Sequence, residues 1–130
     1  MEKKVVVLVD TDKKQCQNLC ALLTDHEYMP TPLTSLTNMD QYIEEIACRA
    51  IILNLDTVSV TNKIFRDFKR KNPLANIIAF SERQYHPELE EALRDYISVC
   101  LAKPVDPDEL FYWLRCVFKN DEEMKAKTSL

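Results

Sequence analysis

Short aliphatic runs, each stopping at a polar residue and each followed by a stretch with helical spacing, constrain this chain more than any other feature. Val5 to Val9 is a continuous β-branched and aliphatic run that ends at Asp10. Ala50 to Leu55 is a second, interrupted at Asn54; Asn76 to Phe80 is a third, ending at Ser81; Val99 to Ala102 is the last, ending at Lys103-Pro104. Unbroken apolar runs of this length suit strands covered on both faces, as in a parallel sheet. Tyr28 to Thr34 contains Pro30 and Pro32, which cannot donate to a ladder, so it reads as a short or edge strand.

The intervening segments carry the 3.6-residue period. Lys13 to Thr24 places Cys16, Leu19, Cys20, Leu22 and Leu23 on one side, with Asp12 as N-cap. Thr37 or Asn38 caps a second helix with Met39, Tyr42, Ile43 and Ile46 as its stripe. A third turns Ile64, Phe65 and Phe68 inward and is stopped by Asn72-Pro73. Pro87 opens a fourth with Leu89, Ala92 and Leu93, and Asp106 or Asp108 starts a long fifth with Leu110, Trp113, Leu114 and Val117 on one face. Five strands alternating with five helices imply an α/β fold, a parallel sheet wrapped on both faces. In such sheets the ligand site lies beyond the carboxyl ends of the strands, so the residues that end the runs are the ones to read.

Composition removes several functions. Glycine is absent, although average usage of about 7% would supply roughly nine. No GxGxxG or GxxxxGK loop can be built, which excludes dinucleotide-binding and P-loop enzymes. The net charge of −4 is spread along the chain, and Lys69-Arg70-Lys71 reads as the solvated end of a helix, so direct nucleic-acid binding is not expected. Only five apolar residues follow Lys3 and Lys4 before Asp10, neither a signal peptide nor a membrane span, and a cytoplasmic location is expected. The cysteines at 16, 20, 48, 100 and 116 form no CxxC pair and read as reduced, packed thiols; Cys16 and Cys20 share a helical turn but lack a second ligand pair. His26 and His86 fall in turn-like segments and are expected to be solvated.

At the strand ends stand Asp10-Thr11-Asp12, Asn54, Ser81 and Lys103-Pro104. With VVVLVDTD at 5–12, IILNLD at 51–56, IIAFS at 77–81, LAKP at 101–104 and the DPDEL that opens the last helix, the chain resembles the receiver domain of two-component response regulators over roughly residues 4 to 119. The resemblance implies a flavodoxin-like (βα)5 domain over residues 1–120, with 121–130 as a tail. It implies a signalling domain of a phosphorelay rather than an enzyme, with no catalytic residue of its own to assign. In that family an acidic pair after the first strand and an aspartate ending the third hold Mg²⁺. The third aspartate accepts a phosphoryl group, and a hydroxyl and a lysine on the next two strands bind it.

Residue by residue, Asp10 matches the first acid, Thr11 stands where the second is usual and Asp12 follows. Ser81 and Lys103 match the hydroxyl and the lysine, and Lys103-Pro104 suits the cis peptide common there. Asn54 stands at the phosphoacceptor position, Cys100 at that of the switch aromatic, and Tyr96 with Ile97 replaces a small pair. An amide is not a carboxylate nucleophile, so Asn54 cannot form an acyl phosphate. Mg²⁺ binding should be weak, with Asp10 and Asp12 left near the ion and Asp56 as a further candidate ligand beside Asp10, and Lys103 is expected to pair with Asp10 while bonding the Asn54 carbonyl.

The expectation is an atypical receiver acting through protein–protein contact with a histidine kinase or an output protein. A homodimer through the face of the fourth helix, fifth strand and fifth helix is possible, since Phe111, Tyr112, Trp113 and Phe118 crowd that helix. The alternative is a phosphorylatable switch using Asp56, which strand alternation would aim alongside Asn54. The blander reading makes Asp56 a cap of the following loop. A flavin carrier would need a hydroxyl-rich phosphate loop, and Thr11-Asp12-Lys13-Lys14 is a poor one.

Overall fold

Parallel pairing joins five strands into one sheet: β1 (Val5–Val9), β2 (Met29–Leu33), β3 (Ala50–Asn54), β4 (Asn76–Ser81) and β5 (Ile97–Ala102), in the order β2-β1-β3-β4-β5. The computed structural model describes residues 4–33 and 49–128, with side chains through residue 119. The helices among them are α1 (Lys13–Asp25), α2 (Asn62–Lys71), α3 (Glu90–Asp95), entered through a 3₁₀ turn at Pro87–Leu89, and α4 (Pro107–Thr128). The helix expected after Thr37 or Asn38 lies outside the described residues. α4 continues past residue 120, where the domain body was expected to end, to Thr128.

The strands form where β-branched and aliphatic residues can be buried on both sides. Val7, Val9, Ile51, Leu53, Ile77 and Ala79 meet Phe65, Phe68, Leu89 and Ala92 of α2 and the α3 region on one face. Val6, Leu8, Ala50, Ile52, Ile78 and Phe80 meet Cys16 and Leu23 of α1 and Leu110, Phe111, Leu114 and Val117 of α4 on the other. Each large side chain withdrawn from water in this way contributes about 1.5–3 kcal/mol. Asp12 caps α1 by accepting from the Gln15 amide, Thr61 caps α2 through the Ile64 amide, and Asp106 accepts from the Asp108 amide as Pro107 begins α4.

Several expectations are corrected. Ile64 is exposed rather than inward, because Phe65 and Phe68 already fill the contact face of α2. Lys69 is half-buried and donates to the Pro73 and Ala75 carbonyls, satisfying acceptors past the helix end, so of the three only Arg70 and Lys71 are exposed. β5 begins at Ile97 and forms a sheet edge, leaving Cys100 partly exposed. In α4 it is Phe111 that is buried, while Trp113 packs at the margin and Tyr112 faces outward.

His26 is exposed, as expected, whereas His86 is not. His86 is buried with Nε2 3.1 Å from the Arg83 carbonyl, and His26 stacks on Phe111 with centroids 3.9 Å apart. Without glycine, the end of α1 turns at Glu27, which holds φ 68° while Tyr28 donates to the Leu23 carbonyl. A left-handed conformation costs a residue with a Cβ about 1–2 kcal/mol.

β2 is the opposite edge, as its prolines required. Met29 donates its N–H inward to the Lys4 carbonyl, so alternate positions Pro30 and Pro32 turn away from β1 and remove no ladder bond. The chain runs from β1 outward to β2 and returns on the other side of β1 to β3. The switch point therefore falls between the ends of β1 and β3, where Asp10 and Asn54 stand.

Candidate functional site

Backbone bonds carry the register beyond the strands and bring their ends to one rim. Asp10 donates to the Leu33 carbonyl, Leu55 to the Phe80 carbonyl and Lys103 to the Ser81 carbonyl. The Lys103-Pro104 peptide is cis. Asp10, Asn54, Ser81 and Lys103 are thereby brought together, and a cleft of about 570 Å³ beside them is bounded by Asp10, Gln15, Leu19, Glu82, Lys103 and Val105.

Asn54 is the hub. It is 2% exposed, ends β3 on the α1 side of the sheet and fills all four of its hydrogen-bonding capacities. Its Nδ2 donates to Asp10 Oδ2 at 3.1 Å and to Gln15 Oε1 at 3.2 Å. Its Oδ1 accepts from the Asp56 amide at 3.0 Å and from Lys103 Nζ at 2.8 Å. The four partners fix the amide: turned over, its NH₂ would face an ammonium and its oxygen a carboxylate.

Asp10 is met by neutral donors. Its Oδ2 takes the Asn54 amide, and its Oδ1 accepts from Thr57 Oγ1 at 2.8 Å and from the Asp12 amide at 2.8 Å. The Asp12 carboxylate turns the other way, to the Gln15 amide as the α1 cap, so the acidic pair is split between the pocket and the helix. Thr11 and Thr57 tie the two loops together through Thr11 N to Thr57 Oγ1 and Thr11 Oγ1 to the Thr57 carbonyl, both 3.3 Å.

Across Asn54 the chemistry changes. Asp56 lies in the turn after β3, and its carboxylate reaches the pocket instead of capping its own loop; it is Asn54 that caps the turn, through the Asp56 amide. Asp56 Oδ2 lies 2.7 Å from Lys103 Nζ and accepts from the Glu82 amide at 2.9 Å, while Oδ1 accepts from Ser81 Oγ at 3.2 Å. Ser81 Oγ in turn accepts from the Arg83 amide at 3.0 Å. Lys103 therefore bonds the Asn54 oxygen as expected, but its ion-pair partner is Asp56 rather than Asp10. Burial pushes the Asp56 carboxyl up, but the Lys103 hydrogen bond, the Glu82 amide, the Lys103 charge and the Ser81 hydroxyl together hold it below its ordinary 3.8. Cys100, beside this half, has its thiol pushed up by burial and by the Asp56 charge.

The oxygens fit Mg²⁺ poorly. An octahedral ion needs several free oxygens on one side. Asp10 is engaged by three donors, Asp12 by the helix and Asp56 by Lys103, and the Asn54 atom facing Asp10 is a nitrogen. Asp10 and Asp56 fall on opposite sides of the Asn54 amide, and no group of three His, Cys, Asp or Glu side chains among the described residues is placed to hold a metal. Thr57, Gln15 and the Glu82 amide escaped the sequence reading, since nothing in a loop's composition announces which donor will turn toward a strand end.

No family model and no curated protein matches the sequence. Solved structures do match. The signal receiver domain of an HD domain-containing protein from Pseudomonas fluorescens is 18% identical, with 94% of this chain and 99% of that chain covered and a TM-score of 0.81. The signal receiver domain of a putative Luxo repressor protein from Vibrio parahaemolyticus is 17% identical, covering 96% and 97% at a TM-score of 0.80. The beryllofluoride-activated NtrC4 receiver domain dimer is 19% identical, covering 90% and 98% at 0.78. The class defined is thus the flavodoxin-like doubly wound domain. Within it, the chain has the fold of response-regulator receiver domains over nearly all its length.

Proposed function

We propose that this chain is a receiver-like signalling domain that works by protein–protein contact, without phosphorylation at the end of β3. The observation that carries the reading is Asn54 itself. It stands at the strand end beside the switch point, where receivers carry the acceptor, and offers an amide already satisfied at every donor and acceptor position. The fold supports the signalling class, and Ser81 and Lys103 stand where the resemblance assigns phosphate binding. The partner is a protein, a histidine kinase or an output protein, met in the cytoplasm. Its docking face is the one formed by α3, β5 and α4, where Tyr112 is exposed beside the partly buried Trp113. A homodimer through the same face is the second use of it.

Asp56 supports a second reading, because its carboxylate reaches Ser81 and Lys103. As a nucleophile it would have to leave Lys103, and the same lysine would have to serve the incoming phosphoryl group. Incubation with acetyl phosphate and Mg²⁺, followed by intact-mass measurement, tests both. An unchanged mass is expected. A phosphoryl adduct lost in Asp56→Asn would overturn the first reading in favour of the second.

A further inference from the structure

Three groups at the ends of two strands point at one spot: the Ser81 hydroxyl, the Glu82 backbone N–H and the Lys103 ammonium. A cation and two fixed donors on one locus make a site for a compact oxyanion, since charge-assisted bonds to such groups are the strong ones. The locus is filled by the chain. One Asp56 oxygen takes Ser81, and the other takes both Glu82 and Lys103, at 2.7–3.2 Å. Asp56 is not drawn there by its own loop, because the bonds it makes span to residues 81, 82 and 103, and its backbone is held separately through Asn54.

We propose that Asp56 is a built-in ligand of this oxyanion site: its carboxylate occupies the position a free tetrahedral oxyanion would take, and holds Ser81 and Lys103 in their bound arrangement permanently. The site itself follows from the contacts; only the consequence, that the docking face is held in one state, rests on the receiver-like reading. Lys103 and Glu82 also line the cleft beside α1, so an ion from solvent has a route to the locus once the carboxylate is gone.

The test is an amide NMR titration of wild type and Asp56→Ala with inorganic phosphate, at constant ionic strength against chloride. Asp56→Ala should bind phosphate about tenfold more tightly than wild type, the factor of roughly one charge-assisted hydrogen bond. The shifts should centre on Ser81, Glu82 and Lys103 and vanish in Asp56→Ala combined with Ser81→Ala. Equal binding by both proteins, or none by folded Asp56→Ala, would overturn the proposal. Should Asp56→Ala fail to fold, the wild type still decides: a Lys103 ammonium signal protected from solvent exchange supports the resident carboxylate, and a freely exchanging one sinks it. Because phosphate binds here without a covalent bond, these outcomes are separate from a phosphoryl adduct in the mass test.

Discussion

The two halves of the rim hold their carboxylates by opposite means. Asp10 sits among an amide nitrogen, a hydroxyl and a backbone N–H, all neutral, whereas Asp56 sits on an ammonium. Asn54 divides them, donor end toward Asp10 and acceptor end toward Lys103. A carboxylate in its place would have no proton for Asp10 and would put two like charges together, an arrangement that calls for a cation. The amide removes that requirement. One half of the pocket thus spreads a carboxylate over neutral donors, and the other concentrates an ion pair in one lysine.

The contrast can be broken from the middle. Asn54→Asp deletes two donors at a fully buried position and sets a charge against Asp10. It should cost about 3 kcal/mol in urea unfolding, with millimolar Mg²⁺ recovering part of the loss while leaving wild type unmoved. On the ionic side, Lys103→Met strands the Asp56 carboxylate in a partly buried place and should cost about 2 kcal/mol, while Asp10→Asn on the neutral side should cost about half as much.

The pH dependence sharpens the distinction further. The Asp56 carboxyl is held below its ordinary 3.8 in the folded chain. Its contribution is therefore complete above that value and lost as pH falls through the lower folded one. The stability gap between wild type and Asp56→Asn, about 1.5 kcal/mol at neutral pH, should stay level down to roughly pH 4 and close below it. Far from the rim, Glu27→Gly should raise stability by about 1 kcal/mol by relieving the left-handed residue, without altering any of these differences.

The sequence carried the frame well and the wiring badly. Aliphatic runs, the Asp12 cap, Pro30 and Pro32 at an edge and the Asn72-Pro73 stop are local signals, each set by a propensity that acts over a few residues. They placed Asp10, Asn54, Ser81 and Lys103 on a common rim because strand ends in a parallel sheet must converge. The partner of Lys103 was not legible. Asp10 and Asp56 are both acidic and near the pocket, and the choice depends on where a three-residue turn aims one side chain. The expectation for His86 failed for the same reason: it lies in a polar segment, yet tertiary packing buries it.

The prolines of β2 bear on how copies of this chain can associate. Between Met29 and Leu33 the outward margin offers carbonyls but neither Pro30 nor Pro32 has an N–H to give. A visiting strand would find acceptors without donors and two rings in its path. Fibre growth needs two complementary margins, one copy's β5 against the next copy's β2, and that junction is closed. A twofold pair, β5 facing β5, uses only the open margin and stays permitted, so self-association along the sheet ends at two.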